Sequence, residues 1–418
     1  MVKMKDSGIE WIGEIPETWE VALNKFVMTK IKQIIPKYTG EPILSLSMTG
    51  VHERNLDDGG KMPSTFDGYQ VVKRGNLLLC LFDIDVTPRC VGYIQADGIT
   101  SPAYSQYEVN DNNSAKYYYY YYLMIDNSKI LVHLTKSLRN TINADQFDNI
   151  KAIVPPKLEQ QQIANFLDRK TTEIDGLIDK INTEIDTLKQ YQSSVITQAV
   201  TKGLDPNVPM KDSGIEWIGE IPETWEVVKI KYYLSRNDIK NHPDEEVLSV
   251  YRDYGVVPKN SRTDNHNVTS TDTTNYKYVI EGNLVINKMK AWQGSLAVSN
   301  YTGIVSPAYY VYQFKNSKLN KRYFHYLIRN CYKSEFKRLS TGIRDGQWDL
   351  QAYDFENTSI TLPPKLEQQQ IADYLDQKVT QIQKLINSKQ QQINQLTEYK
   401  NSLIFEYVTG KKQVKEAN

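Results

Sequence analysis

Two long stretches of the chain carry apolar residues at the alternating spacing of four and three positions that is typical of a coiled coil. One stretch follows Pro155–Pro156, and the other follows Pro363–Pro364, 208 residues later. Proline is accepted in the first turn of a helix, and Gly203 and Gly410 stand where each helix would end. A helix from about 157 to 200 would be roughly 65 Å long at 1.5 Å per residue. The predicted seam positions are Ile174, Ile178, Ile181, Ile185, Leu188, Gln192 and Val195, and then Ile382, Ile386, Lys389, Ile393, Leu396, Lys400 and Leu403.

Polar Gln192 and Lys400 occupy equivalent positions of the two seams. A polar seam residue can fix the register of a coiled coil at a cost in stability. Two such helices in one chain most simply pack on each other in antiparallel, with the regions between them at opposite ends. A coiled coil that joins two copies of the chain is the alternative.

The regions that precede the long helices alternate between strand-like runs and Gly, Asn or Asp clusters. Strand-like runs occur at Ile43–Leu46, Gly75–Phe82 and Val247–Val250, whereas Lys321–Lys337 has helical spacing. These patterns predict an α+β fold. The run Tyr117–Tyr122, treated as a strand, would face core and solvent alternately, which favours core or edge packing over base stacking.

The chain is internally duplicated. The eighteen residues Met4–Val21, here called the opening segment, recur without change as Met210–Val227, and PPKLEQQQIA occurs at Pro155–Ala164 and at Pro363–Ala372. Weaker matches between them keep nearly the same offset, so the two halves have one length and one fold.

Identity between the two halves is concentrated at their ends. The stretches at about 22–154 and 228–362 agree only at scattered positions. One scaffold therefore carries two different surfaces, which suggests that two different things are recognised.

Composition narrows the class of protein. Of 418 residues, 40% are hydrophobic and 24% are charged, as in globular domains. The N-terminal residues lack a signal-peptide pattern, no apolar run is long enough to span a bilayer, and the three cysteines show no metal-ligand spacing. We therefore expect a cytoplasmic protein with reduced thiols and no membrane partner.

Formal net charge is +0, from 50 basic and 50 acidic residues. Charge is nevertheless uneven, because the stretch from Lys315 to Arg338 holds eight basic residues and only one acid, Glu335. Such a run indicates either a nucleic-acid contact or merely a solvated helix face.

Sequence motifs for catalysis are missing. There is no phosphate-binding G-x-x-x-x-G-K-[ST], no G-x-G-x-x-G turn and no H-E-x-x-H helix, and the five histidines show no ligand or triad spacing. Asp83 and Asp85 could hold a metal ion, but their counterparts in the second half are Lys290 and Trp292. The sequence therefore predicts neither catalysis nor a metal site.

The order of opening segment, variable region, Pro-Pro-Lys-Leu-Glu-Gln-Gln-Gln-Ile-Ala and long helix, repeated once, resembles the specificity subunits of type I restriction-modification systems. The resemblance covers essentially the whole chain, and Pro155–Ala164 and Pro363–Ala372 are its most specific parts. It implies two globular target-recognition domains joined by two long antiparallel coiled-coil helices, related by an internal pseudo-two-fold repeat. Each domain would read one half of a bipartite site in double-stranded DNA.

The resemblance also implies partners. Two adenine methyltransferase (modification) subunits would dock on the long helices, and restriction subunits with translocase activity would join them. The chain itself would bind no cofactor, so that S-adenosylmethionine, ATP and Mg²⁺ would belong to the partners. A stand-alone DNA- or RNA-binding adaptor and a nuclease with an unrecognised active site are the alternatives.

Candidate residues follow from side-chain chemistry. Arg and Gln pair bidentately with guanine and adenine, whereas Lys contacts phosphate. The predicted DNA-contacting residues are Arg344, Gln347, Lys288, Lys290, Arg338 and Lys337 in the second domain and Arg89, Arg139, Asn143 and Gln146 in the first. The predicted partner-binding or spacer residues are Ile174, Ile181, Ile185, Leu188, Ile382, Ile393 and Leu396. The predicted segments are a first domain at 1–154, a first helix at 155–203, a second domain at 204–362, a second helix at 363–410 and a tail at 411–418.

Overall fold

The computed structural model describes residues 3–57, 63–135, 140–262, 269–342 and 348–414. The chain divides into two compact units. Unit 1 comprises Met1–Asn182 and Gln390–Asn418, and unit 2 comprises Thr183–Lys389. Each unit therefore contains one globular region together with parts of both long helices, so the boundaries between the compact units lie within the helices.

The first half of the chain begins with eleven short strands, and its long helix is 46 residues long. Its elements are β1 (Met4–Asp6), β2 (Glu14–Pro16), β3 (Glu20–Leu23), β4 (Met28–Ile31), β5 (Leu44–Ser47), β6 (Gly50–Glu53), β7 (Gln70–Val72), β8 (Leu77–Leu79), β9 (Val91–Tyr93), β10 (Gly98–Thr100), β11 (Ser105–Val109), α1 (Ala115–Asn127), α2 (Ile130–His133), α3 (Ala144–Asp148), β12 (Lys151–Val154) and α4 (Lys157–Lys202).

The second half repeats this order. Its elements are β13 (Met210–Asp212), β14 (Glu220–Pro222), β15 (Glu226–Lys229), β16 (Leu234–Arg236), β17 (Leu248–Tyr251), β18 (Gly255–Pro258), β19 (Lys277–Val279), β20 (Leu284–Asn287), β21 (Leu296–Val298), β22 (Gly303–Val305), β23 (Tyr309–Phe314), α5 (Lys321–Cys331), α6 (Lys333–Leu339), α7 (Ala352–Asn357), β24 (Ser359–Leu362) and α8 (Lys365–Val408).

An antiparallel four-stranded sheet forms the centre of each globular region. Its strand order is β4-β11-β8-β9 in unit 1 and β16-β23-β20-β21 in unit 2. In β20, Leu284 and Ile286 pack into the core under α5 and α6, whereas Val285 packs on the opposite face with the β17–β18 hairpin. This alternation is the two-residue period of a strand that is covered on both faces. The predicted α+β class is confirmed.

The run Tyr117–Tyr122 belongs to helix α1, so treating it as a strand was wrong. Ser114 caps the helix by accepting a hydrogen bond from the amide of Tyr117. Five of the six rings are buried, and Tyr119 is half-buried. Their hydroxyls bond to partners such as the carbonyl of Val408 and the amide oxygen of Asn24. The rings are therefore core residues, as expected.

The predicted helix Lys321–Lys337 is interrupted. Helix α5 ends at Cys331 and α6 starts at Lys333, because Tyr332 has φ −107° and ψ 3° and leaves the α-helical conformation. The buried Tyr332 hydroxyl donates to the carbonyl of Ser359. The interruption redirects the basic side chains that follow it.

Both long helices form, and within each unit their segments run antiparallel. In unit 1, Phe166 stacks on Tyr407 and Lys400 bonds to Asp175. In unit 2, Lys389 pairs with Glu184. All fourteen predicted seam positions are buried or half-buried, whereas every residue between them in 175–194 and 383–402 is exposed. The antiparallel coiled coil is confirmed. Among the described residues, no helix has the length and hydropathy needed to cross a membrane.

Candidate nucleic-acid interface

One buried glutamine in each half attaches the globular region to its long helix. In unit 2 the Gln368 side chain donates to the carbonyls of Pro363 and Lys318 and accepts a hydrogen bond from the amide of Asn320. In unit 1 Gln160 makes the corresponding bond with the amide of Ser114. Both glutamines belong to the PPKLEQQQIA repeat, so the identity of that motif has a structural cause.

A second repeated contact joins the same elements. Tyr326 and Arg322 of α5 both bond to Asp376 of α8, and Tyr120 and Lys116 of α1 both bond to Asp168 of α4. The scattered framework matches within the variable regions therefore include residues that hold each region on its spacer helix.

The predicted loop of Lys288 lies beside the segment that flanks Arg344 and Gln347. The amide of Leu350 donates to the carbonyl of Lys288 at 3.0 Å, and the Lys288 ammonium lies 2.7 Å from a carboxylate oxygen of Asp349. That hydrogen bond raises the pKa of Lys288. Thr341 and Asp349 pair as an antiparallel bridge and close the base of the loop between them.

Two tryptophans hold these segments against α6. The rings of Trp292 and Trp348 lie 5.0 Å apart, and the Lys337 ammonium stands 5.9 Å from the ring centre of Trp348. The 3₁₀ turn Ala291–Gln293 packs directly on α6. The loop after β20, α6 and the base of the 341–349 loop therefore form one surface, here called the β20 surface.

The β20 surface presents lysines to solvent. Lys290 in the loop and Lys333 and Lys337 on α6 are exposed. Arg338 is also exposed, but its guanidinium forms two hydrogen bonds with the carboxylate of Glu335. Lys288, Lys290 and Lys337 are thus brought together, whereas Arg338 pairs with Glu335 and has Glu216 of the second opening segment near it.

The basic run as a whole does not form one face. Arg322 pairs with two aspartates of α8. Arg329 is largely buried, donates to the carbonyls of Leu296 and Arg252, and has a pKa lowered by burial. Lys315 directly follows the last residue of β23. The opposite end of that strand pairs with Asn287, which precedes the β20 surface, so Lys315 lies away from that surface. Of this run, Lys333 and Lys337 contribute to the surface, because Lys333 lies next to Gly294 and Lys337 next to Trp348.

Unit 1 builds the equivalent surface, here called the β8 surface, with different side chains. The amide of Ile142 donates to the carbonyl of Leu81 at 2.9 Å, as that of Leu350 does to Lys288. Beyond Leu81, Asp83 and Asp85 are exposed, at the positions of Lys290 and Trp292.

Three residues predicted to contact DNA in unit 1 have structural roles instead. Arg89 is mostly buried and donates to Asp126 and Asn127 of α1. Asn143 and Gln146 form a reciprocal capping box at the start of α3, with bonds of 2.8 and 3.0 Å. The guanidinium of Arg89 and the side-chain oxygens of Asn143 and Gln146 therefore have partners within the protein, and base reading by these residues stays a prediction.

Three other predicted residues, Arg139, Arg344 and Gln347, lie outside the described residues. Conversely, the sequence interpretation missed Trp292, Trp348 and Lys333. The signal in the sequence for this surface would have been the tryptophans that flank the predicted phosphate-contacting lysines. No group of three or more His, Cys, Asp or Glu residues that could hold a metal ion occurs in the described part of the chain.

The fold and these surfaces define a class of protein: a duplicated α+β scaffold with two divergent surfaces and two long antiparallel helices. A family model described as the type I restriction modification DNA specificity domain matches residues 91–187 and 222–395. The matched residues make up more than half of the chain, and the chain belongs to this family.

Comparisons with individual proteins agree with the family match. The chain is 29% identical over 293 residues to the specificity subunit of the type I restriction enzyme MjaVIII from Methanocaldococcus jannaschii, covering 65% of this chain and 64% of that protein. The match thus spans just under two thirds of that relative. A chain of a solved structure that concerns assembly and conformational transition of the type I R-M system has the same fold, with a TM-score of 0.63 at 13% identity, over 95% of this chain and 99% of that one.

Proposed function

We propose that this chain recognises a bipartite site in double-stranded DNA and directs the methyltransferase and restriction subunits of a type I restriction-modification complex to it. Unit 1 reads one half-site, and unit 2 reads the other. The carrying observation is that both units share one framework, down to Gln160 and Gln368, while the β8 and β20 surfaces at the same place on the sheet differ.

Discrimination between DNA sequences requires two kinds of contact. Side chains that reach base edges specify sequence, and phosphate contacts fix register. We propose that Lys288, Lys290, Lys337 and Arg338 contact the phosphates of the second half-site, which the exposure of Lys290 and Lys337 supports. Arg344 and Gln347 remain our candidates for base reading there, and Arg139 is our candidate for the first half-site.

Spacing of the half-sites is assigned to α4 and α8. Each long helix runs without a break through both compact units. Two modules that read one face of DNA must be about one helical turn, roughly 34 Å, or a multiple of that apart. The seam residues Ile174, Ile181, Ile185 and Leu188, with Ile382, Ile393 and Leu396, would keep this spacer rigid.

Two adenine methyltransferase subunits are the partners that the repeat favours, because two copies of one framework offer two equivalent docking places. Restriction subunits with translocase activity would complete the complex. We propose that the chain is not itself an enzyme, that S-adenosylmethionine, ATP and Mg²⁺ are bound by those partners, and that the complex acts in the cytoplasm.

The test is a comparison of the purified chain with and without its methyltransferase subunits. We expect sequence-specific DNA retention and adenine methylation only when the chain and the methyltransferase subunits are both present. Specific retention of DNA or RNA by the chain alone would indicate an adaptor, and cleavage by the chain with Mg²⁺ alone would indicate a nuclease.

A further inference from the structure

We infer that the two units hold DNA by different forces: unit 2 neutralises phosphates through the β20 surface, whereas unit 1 offers an acidic surface and contributes little to the salt-dependent part of binding. This inference rests on the proposed recognition of a bipartite DNA site. It concerns how affinity is divided between the half-sites.

The two surfaces can be compared residue by residue. In each unit a residue just after the inner strand accepts a hydrogen bond from the segment that leads to the last helix of the globular region. Leu81, the second residue after β8, accepts from Ile142, and Lys288, the first residue after β20, accepts from Leu350. The pairing of β8 with β9 and of β20 with β21 sets the same alignment, Leu77 with Leu284. Counted from the inner strand, Asp83 and Asp85 align with Lys290 and Trp292. The loop of unit 1 is two residues longer, because Leu77 pairs with Tyr93 whereas Leu284 pairs with Val298, and the loop of unit 2 contains the 3₁₀ turn Ala291–Gln293.

The side chains carry opposite charge. The β20 surface exposes Lys290, Lys333 and Lys337, and it holds Asp349 in an ion pair with Lys288. Within the described part of unit 1, the β8 surface exposes Asp83 and Asp85.

The two cations nearest to these acids in the described part of unit 1 are paired with another carboxylate. Arg89 and Lys129 both pair with the buried carboxylate of Asp126, and the Lys129 ammonium also donates to the carbonyl of Thr87. The guanidinium of Arg89 is directed inward, with only 14% of its side chain exposed. Lys129 keeps 43% of its side chain exposed but is paired with Asp126, so among the described residues of this surface the exposed charges are chiefly those of Asp83 and Asp85. Lys136 and Arg139 lie outside the described residues.

The β20 surface is also held together for binding. Trp292 packs on Trp348, and its indole N–H donates to the carbonyl of Met289. Lys337 stands over the Trp348 ring. The lysines of α6 and of the loop after β20 therefore meet DNA as a fixed set, which lowers the entropy cost of binding.

The inference can be tested through the salt dependence of DNA binding, because side chains that neutralise phosphates release counterions. Each phosphate that a lysine neutralises adds about 0.9 to the slope of log K against log salt concentration on duplex DNA. We would assemble the chain with its methyltransferase subunits and measure binding to duplexes that carry the methylated motif and to a random duplex, across salt concentrations. The test variant is Lys290→Gln with Lys333→Gln and Lys337→Gln.

A matched control neutralises three exposed lysines around the opposite end of β23: Lys229→Gln, Lys315→Gln and Lys318→Gln. We expect the test variant to lower the slope by about 2.7, with the methylated motif unchanged, and the control to keep the slope of the wild-type complex. Replacing Asp83 and Asp85 by Asn should raise affinity for both duplexes at low salt.

A test variant with the wild-type slope, or a control that lowers the slope equally, would overturn the inference while leaving DNA recognition intact. A wild-type complex that does not distinguish the motif from the random duplex would overturn the proposed function itself, and with it this inference.

Discussion

Gln368 shows a structural reason for one residue of the repeated PPKLEQQQIA motif. Its side chain is 1% exposed and bonds to the backbone of Pro363, Lys318 and Asn320. A hydrophobic residue there would leave the amide of Asn320 and two carbonyls without that partner, and buried polar groups without partners are costly.

We therefore expect Gln368→Leu to lower the free energy of unfolding by about 1–3 kcal/mol for each buried group that stays unsatisfied. Gln370→Leu is the matched control, because Gln370 is exposed two positions later on the same helix. Urea denaturation of both variants measures the difference. Equal stability of the two variants would show that Gln368 does not hold the junction.

His325 makes unit 2 sensitive to acid. Burial lowers its pKa from 6.5 to about 4, and the neighbouring Arg329 adds to the shift. Because the folded pKa lies below the unfolded one, the unfolded chain binds more protons between these values, and stability falls as the pH drops from 6.5 towards 4. The shift corresponds to about 3 kcal/mol.

His325→Gln should remove this part of the acid sensitivity, since the amide oxygen of Gln can still accept the hydrogen bond that the amide of Val298 donates to Nδ1 of His325. Unfolding free energies at pH 7 and pH 4.5 would be compared for both proteins. An unchanged difference between the two pH values would exclude His325 as its source.

Arg344 is our candidate base reader in unit 2. Arg344→Ala should relax one position of the second half-site at a cost of about 1–3 kcal/mol, because a bidentate contact to guanine would be lost. Methylome sequencing and competition binding measure the effect. If motif and affinity both stay as in the wild-type complex, the residue does not read a base.

The residue scale is also where sequence alone predicted least. Arg89, Asn143 and Gln146 have the chemistry of base readers, yet their partners are protein groups. Asp126, which binds Arg89, is 37 residues away along the chain. Residue type does not reveal such contacts, because they depend on how distant elements meet.

At the scale of elements, the long helices were the most predictable feature. Their seam repeats over about three heptads, and a period sustained over that length distinguishes a helix from a strand. The helix α1 was not predictable in the same way, because six consecutive tyrosines have neither helical nor strand period, and tyrosine alone favours a strand. Its cap at Ser114 and the core around it decide the outcome.

The seam residues of the two long helices should be sensitive to substitution by a charged residue. Ile185 is 5% exposed, and Ile393 is half-buried at the equivalent position of the second helix. Replacing either by Asp should bury an unpaired charge, cost several kcal/mol and prevent assembly with methyltransferase subunits.

Gln190→Asp is the control, since Gln190 is exposed on the same helix. Denaturation of the chain and size-exclusion chromatography of the complex give the readout. A double Ile185→Asp and Ile393→Asp variant that still folds and methylates would show that the seam assignment is wrong.

At the scale of the whole molecule, duplication explains both what is constant and what varies. Gln160 and Gln368 share two bonds that attach each globular region to its helix, one from a helix-capping amide and one to a proline carbonyl, whereas Asp83 and Lys290 stand at one place with opposite charge. The repeat could be predicted from sequence, because eighteen identical residues leave no alternative. The charge contrast between the surfaces required the structure, since only the structure separates Lys315 and Arg322 from Lys337.

We propose that each unit reads its own half-site. Exchange of residues 22–154 for the first domain of another family member, followed by methylome sequencing of a host that expresses the complex, tests it most directly. We expect a new sequence in one half of the methylated motif, with the other half and the spacing between the halves unchanged. A change in both halves, or in neither, would contradict it.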